Sequence, residues 1–192
     1  MFDFIGSFIG LIILFPFFII IAILIKLNSK GPVFYKQQRV GLNNTNFGLY
    51  KFRSMYINAD KKGLLTVGGR DSRITSMGYF LRKYKIDELP QLINVLLGEM
   101  SLVGPRPEVR KYVDYYNAEQ MRVLSVKPGI TDNASIAFID ENVLLAQAAD
   151  PEKYYIETLI PQKTAIYLEY VDTRNLWKDI KIIFKTIFNV FR

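Results

Sequence analysis

From Phe4 to Ile25 the chain carries no charged residue, and as a helix this stretch would be roughly 33 Å long against a hydrocarbon core of about 30 Å. A membrane-inserted helix within residues 1–30 is the expectation. Pro16 lies near the middle, where it removes one backbone hydrogen bond and kinks the helix. The arms on either side, 4–15 and 16–25, would be roughly 18 Å and 15 Å long, and neither alone crosses the core. Two paths are open: a kinked spanning helix, or a re-entrant hairpin with Pro16 at its deepest point and both ends on one face. No basic region precedes the stretch and no small-residue cleavage site follows it, which excludes a cleaved signal peptide. Bases gather behind it at Lys26, Lys30, Lys36, Arg39, Lys51 and Arg53, so the positive-inside rule puts residues 31–192 on the cytoplasmic side.

Beyond Gly31-Pro32 the pattern becomes that of a small globular unit. Val33-Phe34-Tyr35 and Phe47 to Phe52 read as strands of a hairpin around the turn-rich Gly41 to Thr45. Residues 60–73, with Gly63, Gly68 and Gly69 among charges, read as a mobile loop. Thr75 or Ser76 caps a short helix with Met77, Phe80, Leu81 and Tyr84 on one face. Asp87 is then the expected N-cap of a helix running to Leu97, with Pro90 tolerated in its first turn. Val103-Gly104-Pro105-Arg106-Pro107 is extended, because a proline restricts itself and the residue before it. Glu108 to Leu124 is helical in pattern, Pro128-Gly129 breaks it, and 141–171 alternates helical runs with breaks at Pro151 and Pro161.

The last run, 175–192, puts Leu176, Ile180, Ile183, Phe184, Ile187, Phe188 and Phe191 on one face and Lys178, Lys181, Lys185 and Arg192 largely off it. It reads either as a core-packing helix or as one lying in the headgroup layer. The fold class is α+β, mainly helical: a membrane-inserted, re-entrant N-terminal helix, then a cytoplasmic globule with a minor hairpin and amphipathic helices at the membrane plane.

Composition narrows the chemistry. The 192 residues include no cysteine and no histidine, and the formal charge is +7. Thiolate nucleophiles, disulfides and imidazole bases are therefore excluded, leaving carboxylates, Lys, Arg, Tyr and Ser/Thr. An oxygen-ligated cation such as Mg²⁺ needs only one or two carboxylates plus substrate phosphates. The basic excess fits anionic lipid, a phosphorylated substrate or nucleic acid, but no nucleic-acid-binding motif is present. Candidate chemistry centres on Asp87-Glu88 within Lys85-Ile86-Asp87-Glu88-Leu89-Pro90-Gln91. Around it stand Arg82, Arg106 on its two-proline mount, and Lys127-Pro128-Gly129-Ile130-Thr131.

In this order, after Gly31-Pro32-Val33-Phe34 and Tyr50-Lys51-Phe52-Arg53-Ser54-Met55, these groups make a specific pattern. The chain resembles the bacterial sugar transferase family, small membrane-bound polyprenol-phosphate phosphoglycosyl transferases, and at this length it resembles the minimal catalytic form. The resemblance implies transfer of a sugar-1-phosphate from a UDP-sugar to undecaprenyl phosphate with release of UMP, the initiating step of a bacterial surface glycan. It implies an enzyme of the bacterial inner membrane acting at the cytoplasmic face among membrane lipids. Asp87 matches the nucleophile and Glu88 its Mg²⁺-binding neighbour, while Arg82, Arg106 and Lys127 are the expected substrate-binding residues. On physical grounds, Arg106 offers a fork of donors to phosphate and the Asp87 helix N-terminus offers N–H groups to the same anion. Arg82 could hold either the carboxylate or a phosphate.

Two positions depart from the family pattern. Phe15-Pro16 replaces the usual Ser-Pro of the membrane helix, and Asp132-Asn133-Ala134-Ser135 replaces Gly-Trp-Ala-Gln. The rival from another class is a non-enzymatic membrane adaptor, which accounts for the charge and the apolar segments but not for Asp-Glu-Leu-Pro-Gln followed by Gly-Pro-Arg-Pro.

Overall fold

The structure, a computed structural model, describes residues 2–68 and 71–190. The first element, α1 (Phe2–Asn28), is one continuous helix with Pro16 inside it, so the two expected arms form a single element. It is long and apolar enough to cross a membrane. Its ends both meet the globular part. At the start, the Asp3 carboxylate accepts from the Leu102 N–H at 3.0 Å and the Ser101 hydroxyl at 2.9 Å. At the other end the Asn28 side chain accepts from the Met77 N–H at 3.2 Å and donates to the Ser76 hydroxyl at 2.7 Å. Between them Ile21 and Ile25 are buried against Phe52 and Leu81, while Phe8, Ile12, Ile13, Phe15 and Ile20 are exposed. The helix thus lies along the globule instead of projecting from it.

The expected hairpin forms from β1 (Phe34–Val40) and β2 (Asn46–Phe52), antiparallel with Phe34 opposite Phe52 and Val40 opposite Asn46. Arg53, directly after β2, turns back and donates to the carbonyls of Ser29 and Lys30, closing the C-terminus of α1, where carbonyls lack intrahelical partners. The loop expected over 60–73 is tied down where it is described: Arg73 bonds Asp71 and the carbonyls of Gly63 and Leu65. Gly69 lies outside the described residues.

Thr75 is the cap of α2 (Ser76–Lys83), accepting from the Gly78 N–H at 2.9 Å. Leu81 is fully buried, but Phe80 is exposed and stacks edge-on to Tyr84. Asp87, expected as a helix N-cap, instead sits inside a 3₁₀ turn, Ile86–Glu88, and α3 begins only at Gln91 (Gln91–Leu96). A cap at Asp87 would accept from the N–H of residue 89 or 90, but Leu89 closes the tighter turn on the Ile86 carbonyl at 3.2 Å and Pro90 has no N–H. With Glu88 also bonded back to Lys85, the expected anion-binding helix terminus is absent here, its donors spent within the turn.

β3 (Ser101–Val103) pairs in parallel with β4 (Gly129–Thr131), so the Gly-Pro-Arg-Pro and Lys-Pro-Gly-Ile-Thr motifs are neighbours. At the junction a Cβ on Gly104 would stand 2.6 Å from the Lys127 carbonyl, and one on Gly129 would stand 2.1 Å from the Gly104 nitrogen. Only glycines allow the two backbones this close.

The expected helix from Glu108 to Leu124 is two short pieces, α4 (Arg110–Val113) and a 3₁₀ run at Gln120–Ser125. After β4 come α5 (Asn133–Ala137), capped by Asp132, then α6 (Glu141–Gln147) and α7 (Pro151–Tyr154). Pro161 does not break the chain: a π-helical run, Tyr155–Leu159, leads directly into α8 (Ile160–Thr173), with Pro161 in the first turn where no donor is missed. The last element, α9 (Leu176–Val190), buries Ile182, not the expected stripe, and leaves Leu176, Trp177, Phe184, Ile187 and Phe188 exposed. Phe191 and Arg192 lie outside the described residues.

Gly78 faces the exit of β2, where a Cβ would stand 1.9 Å from the Ser54 carbonyl oxygen. Gly78→Ala is expected to lose about 1–3 kcal/mol of stability through displacement of α2 from the hairpin, read as a lowered Tm by thermal unfolding.

Candidate active site

Three separated segments converge on one buried carboxylate. Glu88, 8% exposed, accepts from both ends of the Arg106 guanidinium, with Nη1 at 3.0 Å from Oε2 and Nη2 on Oε1. Lys51 Nζ, from β2, donates to the same Oε1 at 3.0 Å. Burial alone would raise the Glu88 carboxyl, but Arg106 and Lys51 outweigh it and hold it well below the usual carboxylate range. Lys51 answers in the other direction: burial lowers its ammonium to about 8, against the pull of Glu88.

Asp87, 5% exposed, is left outside this clamp. Among the described residues no group hydrogen-bonds its carboxylate, and burial first, then the neighbouring Glu88 charge, raises its pKa. A carboxylate of raised basicity with unengaged lone pairs is suited to attack an electrophile. The backbone behind it is unusual, since Lys85 adopts the left-handed region at φ 54°, uncommon for a non-glycine residue. That turn lets consecutive residues of the 3₁₀ segment point one carboxylate into the clamp and the other away from it.

Both carboxylates open on a cavity of about 530 Å³ whose walls carry Arg39, Lys51, Arg73, Arg82, Arg106 and Lys163. Arg82 is at the wall and donates to the Thr66 hydroxyl at 3.0 Å, leaving further donors for an anion. Of the residues expected from sequence, Asp87, Glu88, Arg82 and Arg106 are together. Lys127 is not: it is exposed, outside the cavity, its ammonium directed toward Gly98 and its carbonyl packed on Gly104. The Lys-Pro-Gly-Ile-Thr motif braces the strand that leads into the Arg106 segment. Lys51 was missed as a site residue although its block stood out in sequence, because nothing local ties it to a partner 37 residues away.

A divalent cation fits this donor set. Glu88 Oε1 has both lone pairs committed, but Oε2 accepts one hydrogen bond and the Asp87 carboxylate none among the described residues. Mg²⁺ takes one or two carboxylates and completes its shell with substrate phosphates and water.

The sequence profile of the family described as bacterial sugar transferase matches residues 1–192. The chain belongs to the bacterial sugar transferases. Within the family it is 40% identical over 188 residues, 96% of this chain and 41% of the relative, to a UDP-N-acetylgalactosamine-undecaprenyl-phosphate N-acetylgalactosaminephosphotransferase of Aeromonas hydrophila. It is 35% identical over 175 residues to a UDP-glucose:undecaprenyl-phosphate glucose-1-phosphate transferase of Caulobacter vibrioides, covering 90% of this chain and 61% of that protein. The uncharacterized sugar transferase EpsL of Bacillus subtilis is 40% identical over 163 residues, 85% of this chain and 72% of the relative. The chain thus spans less than two thirds of the first two. This bacterial sugar transferase shares sequence with relatives named for different sugars.

Two expectations follow for the clamp. Arg106→Lys keeps one charge and loses the fork, so kcat/KM should fall about tenfold or more; a value within twofold of wild type would make Arg106 a mere point charge. Lys51 is charged below about pH 8 and neutral above it, so the clamp weakens as pH rises through that value. The profile of kcat/KM against pH should carry an alkaline limb there, and Lys51→Arg, permanently charged, should remove it.

Proposed function

We propose that this chain moves a sugar-1-phosphate from a UDP-sugar to undecaprenyl phosphate, releasing UMP, through a phosphosugar carried on Asp87. The observation that supports it most is the division of labour in Asp87-Glu88: one buried carboxylate clamped by two cations, its neighbour unbonded in a cationic cavity. The names of the Aeromonas and Caulobacter relatives support the same substrates.

In the first step an Asp87 carboxylate oxygen attacks the β-phosphorus of the UDP-sugar. The bond from that phosphorus to the bridging oxygen breaks, and UMP leaves with the oxygen. In the second step a phosphate oxygen of undecaprenyl phosphate attacks the same phosphorus, and the Asp87–phosphorus bond breaks, returning the carboxylate and giving a lipid-linked pyrophosphoryl sugar. Neither step needs a histidine or a thiol. Both partners are anions, so charge must be neutralised before a carboxylate can approach. Arg106 and Arg82 present donors to the phosphates, while Lys51 and Arg106 offset the Glu88 charge beside the nucleophile. When bound by Glu88 and the substrate phosphates, Mg²⁺ supplies further neutralisation and polarises the phosphoryl oxygens. The product is the first lipid-linked sugar of a bacterial surface glycan.

The acceptor is a membrane lipid, and the site belongs at the cytoplasmic face of the bacterial inner membrane. Both ends of α1 touch one globule, which favours a helix whose two ends stay on one face of the membrane over one that crosses. The exposed Trp177, Phe184 and Phe188 on α9, with Lys178, Lys181 and Lys185 along the same helix, fit a helix in the headgroup layer.

Asp87→Asn should abolish both UMP release and the phosphosugar adduct seen by intact-protein mass spectrometry after mixing with a UDP-sugar. Near-normal turnover would remove Asp87 as nucleophile. For the membrane path, the chain has no cysteine of its own, so Phe2→Cys and Lys30→Cys report separately. Protection of both from an impermeant maleimide in intact cells, relieved by lysis, is the expected result; labelling of the Phe2→Cys protein alone in intact cells would establish a spanning helix.

A further inference from the structure

The cavity has two ends. One, at Pro32, Tyr35 and Tyr56, opens beside Arg53 and the C-terminus of α1. The other runs past Arg106 to a polar cluster formed by Glu108, the π-helical run and α8. There Glu108 Oε1 accepts from the Val109 N–H at 2.7 Å and from Arg39 at 3.3 Å, while Oε2 accepts from the Tyr155 hydroxyl. Lys163 Nζ donates to Glu141 at 2.8 Å and lies 3.5 Å from the Tyr155 hydroxyl. One turn further along α8 stands Tyr167, 3% exposed and lining the cavity, with a hydroxyl that has no hydrogen-bond partner among the described residues. A buried hydroxyl without a partner is destabilising, and a ligand group can satisfy it.

We propose that this inner end of the cavity holds the sugar of the donor and decides which sugar is accepted, with Glu108, Tyr155, Lys163 and Tyr167 contacting its hydroxyl or amide substituents. The assignment rests on the transfer reading and follows from three constraints. First, Arg106 and Glu108 are two residues apart on a backbone held straight by Pro105 and Pro107, so both face the cavity at a separation of roughly 7 Å. That is about the reach of one pyranose ring beyond its phosphate. Second, a two-step transfer leaves the sugar on Asp87 while UMP departs and the lipid phosphate arrives. The leaving group and the acceptor can therefore share one end, and the end beside α1 is the one a membrane lipid reaches. Third, the inner end suits hydroxyls better than a nucleobase. Its carboxylates, ammonium and phenols alternate donors and acceptors, whereas Tyr112 and Tyr155 lie 4.8 Å apart at 58° and leave no flat slot between them.

The test is a donor panel of UDP-glucose, UDP-galactose, UDP-N-acetylglucosamine and UDP-N-acetylgalactosamine, with UMP release measured on the full chain in lipid nanodiscs. Tyr167→Phe deletes one unpartnered oxygen, so its Tm should equal or exceed that of wild type. Its ratio of kcat/KM between the best donor and the epimer or N-acetyl counterpart should shift at least about tenfold, with inhibition by UMP unchanged. Tyr155→Phe should shift the ratio for the same pair of donors. Donor ratios within twofold of wild type in both variants would overturn the proposal. So would an equal loss on all four donors accompanied by weaker UMP inhibition, which would put the nucleotide at this end. A wild type that releases UMP from none of the four would remove the transfer reading and this proposal with it, a result distinct from an active enzyme whose ratios stay fixed.

Discussion

The Glu88 clamp is the interaction on which the rest of the site depends. A carboxylate withdrawn from water is tolerated only when its charge is matched, and removal of one partner from such a pair typically costs about 3–5 kcal/mol. Here the partners come from β2 and from the segment after β3, so the clamp closes only when hairpin, 3₁₀ turn and Pro-Arg-Pro mount are all in register. The state of Asp87 follows from the same contact. Because Glu88 absorbs both cations directly, Asp87 stays unbonded, and its raised basicity comes from burial and from the residual charge beside it.

Much of this was legible locally. The long apolar run, the hairpin, the Thr75 cap and the pair Asp87-Glu88 are written in spacings of a few residues, where turn chemistry and periodicity act directly. The failures share a cause of another kind. Asp87 looks like an N-cap until Pro90 is asked to donate a hydrogen bond it lacks, and Pro161 looks like a stop until the π-helical run delivers it into a first turn. Lys127 looks like a phosphate ligand because its motif is distinctive. What the motif does is lay Gly129 against Gly104, a long-range fit that no local pattern announces. On α9 the stripe read as one face leaves Leu176, Phe184, Ile187 and Phe188 exposed, while Ile182, which lies off that stripe, is buried.

The two glycines of the β3–β4 junction link fold and chemistry closely. Each removes a side chain so that two backbones can touch, and the consequence falls on Arg106 two residues downstream. A proline on each side limits the backbone there to few conformations, so little entropy remains to be lost when the guanidinium orders. The arginine is pre-aimed.

The anchoring of α1 at both ends also sets an order of assembly. Asp3 finds its partners at Ser101 and Leu102, 98 and 99 residues later in the chain. The two ends of the helix therefore find their partners at different times. Ile21 and Ile25 pack on Phe52 and Leu81, and Asn28 on Ser76 and Met77, all made before β3. The Asp3 end is the last part of α1 to be fixed, and it waits on β3.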